Sequence, residues 1–188
     1  STYCWYGAGV TLRDRGDRRA EDGFYAGGTH LEVLPQPGKV AQVALERALA
    51  RLDSEKGPTS RSTMVVDARA AASLVGRLLG PANAQSLQQG RSFWAGLTGQ
   101  KAFSDKLTLV DDPLIPRGLG SRYYDSEGIS AKALPIVEAG VVRNLYVDTY
   151  YGRKAGLAPT TGSQSNLRVQ TGRHSLEQLL AEVGTLEL

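Results

Sequence analysis

Apolar positions along this chain fall into alternating and helical runs, and their order interleaves strands with helices. The stretch Ser1–Leu12 (STYCWYGAGVTL) is rich in aromatic and β-branched side chains and predicts a strand. A polar turn around Gly16 separates it from a return strand in Asp22–His30, so the opening reads as a hairpin with a charged tip. Pro37-Gly38 ends that unit. Beyond it Val40, Val43, Ala44, Ala48, Leu49 and Leu52 recur at the spacing of an amphipathic helix, which Lys56-Gly57-Pro58 closes. Ser62-Thr63-Met64-Val65-Val66 predicts a compact buried strand. Asp67 is placed to cap a helix over Ala68–Leu79, with Leu74, Val75, Leu78 and Leu79 as its apolar face and Gly80-Pro81 as its stop.

The pattern weakens from Asn83 to Ser104, where Ser92-Phe93-Trp94 offers an aromatic anchor. Leu107–Val110 predicts a strand. Ala133–Val137 and Val141–Val147 flank Glu138-Ala139-Gly140 and predict a hairpin, with glycine where a positive φ is wanted. Leu167-Arg168-Val169 reads as a short strand. Ser175-Leu176-Glu177-Gln178 has the spacing of a capping box before a helix faced by Leu176, Leu179, Leu180 and Val183, with Gly184 as the residue past its end. Interspersed helices and hairpins point to an α+β fold with mixed, largely antiparallel sheets.

Composition changes this picture little. The chain has 188 residues, 41% of them apolar and 22% charged, which is ordinary for a globular protein with one substantial core. The net charge of +3 gathers into no block, so a solvated mixed surface is expected rather than a nucleic-acid partner. A lone Cys4 excludes an internal disulfide and fits a reducing compartment. No apolar run reaches bilayer length and no signal-peptide pattern is visible, so the expectation is cytoplasmic, with no membrane partner. Ser1 begins inside a strand pattern and Leu186-Glu187-Leu188 stops on an apolar upswing, which reads as a piece of a longer protein.

The residues offer little overt chemistry. Only His30 and His174 are available as imidazole ligands, and zinc needs three or four converging donors. The expectation is therefore no metal site and no catalytic residue. Asp111-Asp112, Asp125 and Glu127 can either collect around a hard cation or serve turns and caps; the local spacing favours the second. Cys4, Ser73 and Ser92 lack the surroundings of a nucleophile. Gly118-Leu119-Gly120 and the glycines of 152–162 are not phosphate cradles. The run Thr160-Thr161-Gly162-Ser163-Gln164-Ser165-Asn166 can offer N–H groups and amides to an extended peptide, or be a plain solvated connection. In the adjacent pairs Tyr123-Tyr124 and Tyr150-Tyr151 the rings diverge, so one of each is expected in the core.

One long stretch resembles a known family. Val110-Asp111-Asp112-Pro113, Gly118-Leu119-Gly120-Ser121, Asp125-Ser126-Glu127-Gly128, Val137-Glu138-Ala139-Gly140-Val141, Asp148 to Leu157 and Thr161-Gly162 follow in order and spacing the C-terminal domain of the TldD/PmbA family, also called "modulator of DNA gyrase". Weaker similarity runs from Ser1 to Gly184. The resemblance implies an incomplete TldD/PmbA-type fold, with residues 1–57 as the end of a preceding segment and 58–188 as a truncated C-terminal domain. It also implies a two-subunit metalloprotease acting on peptides, in which TldD carries His-Glu-x-x-x-His and PmbA, or TldE, is the partner. In register with that motif this chain has Ala72, Ser73 and Arg77, which can neither ligate zinc nor act as the base. The implied role is a non-catalytic component, with zinc expected in a TldD-type partner rather than in this chain. Heterodimer formation with that partner is implied, self-association being the other possibility. Thr160, Thr161, Gly162, Ser163 and Asn166 are the implied peptide contacts, with the hairpin 133–147 adding a strand to the bound chain. A stand-alone hydrolase with non-zinc chemistry and a regulator linked to DNA gyrase are the alternatives.

Overall fold

A computed structural model describes residues 2–61 and 63–183, in two compact units, Ser1–Ser60 and Arg61–Glu187. In the first unit β1 (Cys4–Arg13) pairs antiparallel with β2 (Arg19–Gly28) in an unbroken register from Cys4↔Gly28 to Arg13↔Arg19. Alternate residues of β1 are half-buried and exposed, as period-two patterning requires. The helix α1 (Pro37–Leu49) begins at a proline whose missing N–H costs nothing in the first turn, and it buries Val40, Ala44 and Ala48. Burying Val40 contributes about 1.5–3 kcal/mol. Leu49, expected on that face, is instead exposed at the helix end. The Arg47 guanidinium donates to the Gly23 carbonyl at 2.9 Å and lies 4.7 Å from the Phe24 ring centroid, adding a cation–π contact.

The second unit holds α2 (Ala68–Leu79), α3 (Ala84–Gln88), β3 (Leu109–Asp111), β4 (Leu134–Glu138), β5 (Val141–Val142), α4 (Thr149–Ala155), β6 (Leu167–Val169) and α5 (Leu176–Val183). Its sheet has the order β5-β4-β3-β6 and is antiparallel throughout, so the α+β expectation holds. Leu79, Leu109, Ile136, Val137 and Val142 form one core with Trp94, which is fully buried. The indole N–H of Trp94 donates to the Leu78 carbonyl at 2.9 Å, and its ring tilts against Phe103 at 5.3 Å. The aromatic anchor is thus the centre of the unit.

Capping follows the sequence closely. The Asp67 carboxylate accepts from Arg69 N at 2.6 Å, and those bonds hold its pKa below the ordinary value. Ser175 Oγ accepts from Gln178 N at 3.3 Å while Gln178 Oε1 accepts from Ser175 N at 2.8 Å, the reciprocal box that the spacing predicts. Helix α5 buries no residue among those described; Gly184 lies outside them.

Four expectations need correction. Residues 63–66 are not a strand and Met64 is exposed, because an apolar triplet without a ladder partner has nothing to pair its backbone; Ser62 lies outside the described residues. The strand expected over Val141–Val147 stops at Val142. From there the chain leaves the ladder, and Tyr146 pairs instead with the link between α2 and α3: Tyr146 N donates to Ala82 O at 3.0 Å and Ala84 N to Tyr146 O at 2.9 Å. The hairpin turn has two residues rather than three, Ala139 and Gly140, both with positive φ (47° and 79°), which matches a type I′ turn. Finally, Tyr123 and Tyr124 are both exposed; in the other pair Tyr150 is exposed and Tyr151 packs on the core, as expected, but the two rings meet edge to face at 4.9 Å instead of diverging.

Candidate functional site

The polar run 160–166 is built into the second unit by hydrogen bonds to residues far away along the chain. Asp111 follows Leu109 by two positions on β3, so both side chains enter the interior. Its carboxylate is almost wholly buried and receives Ser165 N at 3.0 and 2.9 Å as well as the Ser165 hydroxyl. Asn166 Oδ1 accepts from Gly120 N at 2.8 Å, and its amide donates to Asp112 O and Ser121 Oγ, each at 2.9 Å. This explains Gly118-Leu119-Gly120. A Cβ on Gly120 would stand 2.5 Å from the Ser165 carbonyl oxygen, so the glycine is there to admit the crossing chain. Thr160 Oγ1 donates to Leu145 O at 2.7 Å and accepts from Val147 N at 3.0 Å. Arg122 clamps the middle of the run, donating to Gln164 O and Thr161 Oγ1 at 3.2 Å each and to Ser163 O.

Of the five residues expected to touch peptide, Thr160 and Asn166 therefore have their side chains bonded inward. Thr161 holds Arg122. Gly162 and Ser163 are exposed, and together with Gln164 they form one wall of a cleft of about 230 Å³. Leu79 and Gly80, at the end of α2, with Asn83 and Gln85 form the opposite wall, and Tyr146 and Asp148 also line it. Asp148 caps α4 through Oδ1, which accepts from Tyr151 N at 2.7 Å. Tyr146 is buried, and its hydroxyl faces the Asp111 carboxylate just outside strict hydrogen-bond geometry. Burial first, and then the negative charge of Asp111 nearby, push its pKa far above the ordinary phenol value, so the phenol stays neutral. Arg122 and Tyr146 are not singled out by the sequence; Asp111 reads there only as a turn or cation-site residue, because the strand expected over Leu107–Val110 stops one position short of it.

The other acidic residues serve turns and caps. Asp112 Oδ1 accepts from Leu114 N at 3.0 Å, and the Glu127 carboxylate receives Thr149 N at 2.9 Å and the Thr149 hydroxyl. Asp125 Oδ1 accepts from Glu127 N and Ile129 N at 2.9 Å each. Burial, the largest influence on Asp125, pushes its pKa up. The Ile129 and Glu127 N–H groups outweigh it, with Gly162 N–H and the Thr161 hydroxyl assisting from beyond hydrogen-bond geometry at the buried Oδ2, and the net shift is downward. Asp111 and Asp125 both border a cavity of about 10 Å³, room for one water. Among the described residues no three or more His, Cys, Asp or Glu side chains are grouped to hold a metal.

Ala72, Ser73 and Arg77 lie on exposed positions of α2, the helix whose end walls the cleft. A methyl, a neutral hydroxyl and a guanidinium make no donor set for zinc, so the residues present do not fit that ion. The strand-adding edge expected at the hairpin is also occupied. Gly99 N donates to Val142 O at 2.8 Å, Val142 N to Gln100 O at 3.0 Å, and Lys101 bridges Val141. At the other end of the sheet β6 pairs only with β3 among the described residues. Asn166 O accepts from Asp112 N and Gln170 N donates to Thr108 O, the residues that flank β3, which by antiparallel alternation turns the backbone groups of Leu167 and Val169 outward.

Comparison with known proteins places this architecture. Residues 59–186 match the PmbA/TldA metallopeptidase C-terminal domain. The chain belongs to the PmbA/TldD family. Metalloprotease PmbA of Escherichia coli O157:H7 is 29% identical over 178 residues, which cover 94% of this chain and 39% of that protein. A Bacteroides thetaiotaomicron structure of the "modulator of DNA gyrase" type superposes with a TM-score of 0.89 at 35% identity, covering 95% of this chain and 41% of the other. TldE from Thermococcus kodakarensis, at 18% identity, a TM-score of 0.71 and coverage of 96% and 43%, shares the fold. The chain thus spans about two fifths of the PmbA/TldD-family proteins it matches. No helix among the described residues is long and apolar enough to cross a membrane.

Proposed function

We propose that this chain is part of a PmbA/TldE-like, non-catalytic component of a TldD/TldE-type metalloprotease complex, and that it binds peptide for a zinc-bearing partner in the cytoplasm. The observation that carries the reading is the side-chain chemistry of α2. A family helix that would need ligands and a base presents Ala72, Ser73 and Arg77, while its far end still walls an open polar cleft. Three features support peptide as the guest. The Gly162–Gln164 rim is exposed, the run beneath it is clamped by Arg122 and Asp111, and the chain continues into the edge of β6 that is unpaired among the described residues, where Leu167 and Val169 can pair with an added strand.

Co-purification of the full-length protein with the TldD-type subunit of the same organism, followed by a peptidase assay with and without it, checks this role. Stable association and a loss of peptide cleavage when this subunit is omitted are expected. Absence of association, or undiminished cleavage by the partner alone, would refute it.

A further inference from the structure

We propose that Arg122 is a positioning residue of the peptide face: it holds the polar run so that the Gln164 N–H is presented to a main-chain carbonyl of the guest. This rests on the reading of that face as the peptide-binding one. Three acceptors of the run converge on one guanidinium, the carbonyls of Ser163 and Gln164 and the Thr161 hydroxyl. Fixing an exposed connection costs backbone entropy, and hydrogen bonds from an ion are strong enough to offset it. A merely solvated connection would leave those carbonyls to water.

The geometry of the peptide unit turns this clamp into a direction. In a trans unit the C=O of one residue and the N–H of the next point opposite ways. The Ser163–Gln164 unit is trans and its carbonyl faces Arg122, so the Gln164 N–H is turned away from the guanidinium. Gln164 lines the cleft and Arg122 does not. The next N–H, that of Ser165, is taken by Asp111, whereas no bond reaches the exposed Gln164 N–H among the described residues. On the opposite wall Asn83 is spent, its Oδ1 on the α3 cap and its Nδ2 on Gly80 O. The Gln85 side chain there is exposed and has no partner among the described residues. The cleft thus offers a guest an amide donor from each wall, which suits a peptide carbonyl and takes no account of the side chain beside it.

The test is fluorescence anisotropy on the full-length protein, alone and with its TldD-type partner, using a labelled peptide and a series in which successive amides are replaced by esters, whose carbonyls are weaker acceptors. One ester position is expected to bind several-fold more weakly than the parent peptide. Arg122→Ala should weaken the parent peptide by about tenfold and abolish that ester penalty, while Arg122→Lys, which keeps a cation, should retain part of both. A residue that only stabilised the fold would lower affinity without erasing the penalty. In protein isotope-labelled at its glutamine amides, the Gln164 N–H resonance should move downfield when the peptide binds. A bound peptide that leaves this resonance in place, or an ester penalty that persists unchanged in both variants, overturns the role of Arg122 alone. No binding of the parent peptide, with or without the partner, overturns the peptide reading and this role with it.

Discussion

The two hairpins of this protein make opposite use of the same local signal. The first, β1–β2, pairs ten residues on each strand without a shift and turns through a charged tip with Gly16 at φ +60°. The second, β4–β5, keeps only two paired positions, Val137↔Val142 and Glu138↔Val141, and its turn is wedged against the segment 102–108: Gly140 N donates to Leu107 O at 2.9 Å and Ala139 N to Thr108 Oγ1 at 3.1 Å. The regular hairpin keeps its ladder from end to end. The irregular one releases Asn144–Val147 to a different partner, and that release puts Tyr146 in the wall of the cleft. Regular pairing builds scaffold here, and departure from it builds the site.

The sharpest way to break the comparison is to remove what the second hairpin leans on. Trp94→Ala deletes a fully buried indole and its bond to Leu78 O, and should destabilise the second unit by about 3–5 kcal/mol, read as a lowered denaturant midpoint. Next come the turn glycines. Gly140→Ala forces a Cβ to 2.3 Å from Phe103 O at φ +79° and should cost about 1–3 kcal/mol; Gly16→Ala, with open space around it, should cost about 1 kcal/mol, from its backbone conformation alone. Equal losses would mean that the second turn is not wedged.

The smallest effect is the acid response of the crossing below the cleft. The folded-state pKa of Asp125 lies below the ordinary 3.8, so its contribution is present above that value and is lost as pH falls through the folded pKa. Thermal melts from neutral pH to pH ~3 should show Asp125→Asn less stable than the parent at neutral pH and converging with it in acid. A constant gap across that range would show that Asp125 acts by packing rather than by charge.

Much of the scaffold was legible because its causes are local. The α1 face, the Asp67 cap, the Ser175 box and the β1 alternation each depend on residues within a turn or two of one another. Residues 63–66 misled for the opposite reason: a triplet such as Met64-Val65-Val66 has the composition of a strand, but a strand exists only with a neighbour. The polar run 160–166 could equally have been a loose loop. What makes it a wall is Asp111, fifty-four positions away from Ser165, together with Arg122 and Gly120.

By itself, then, the sequence determined the first hairpin, the three longer helices and their caps, the antiparallel α+β character, the family, and the unsuitability of Ala72, Ser73 and Arg77 as zinc ligands, because side-chain chemistry and local periodicity need no third dimension. Only the tertiary structure decided which sheet edge is open among the described residues, which residues of the polar run face outward, and that Tyr146 and Asp148 share a cleft with the end of α2. Those outcomes depend on where buried backbone and carboxylate groups find partners, and such partners lie far away along the chain.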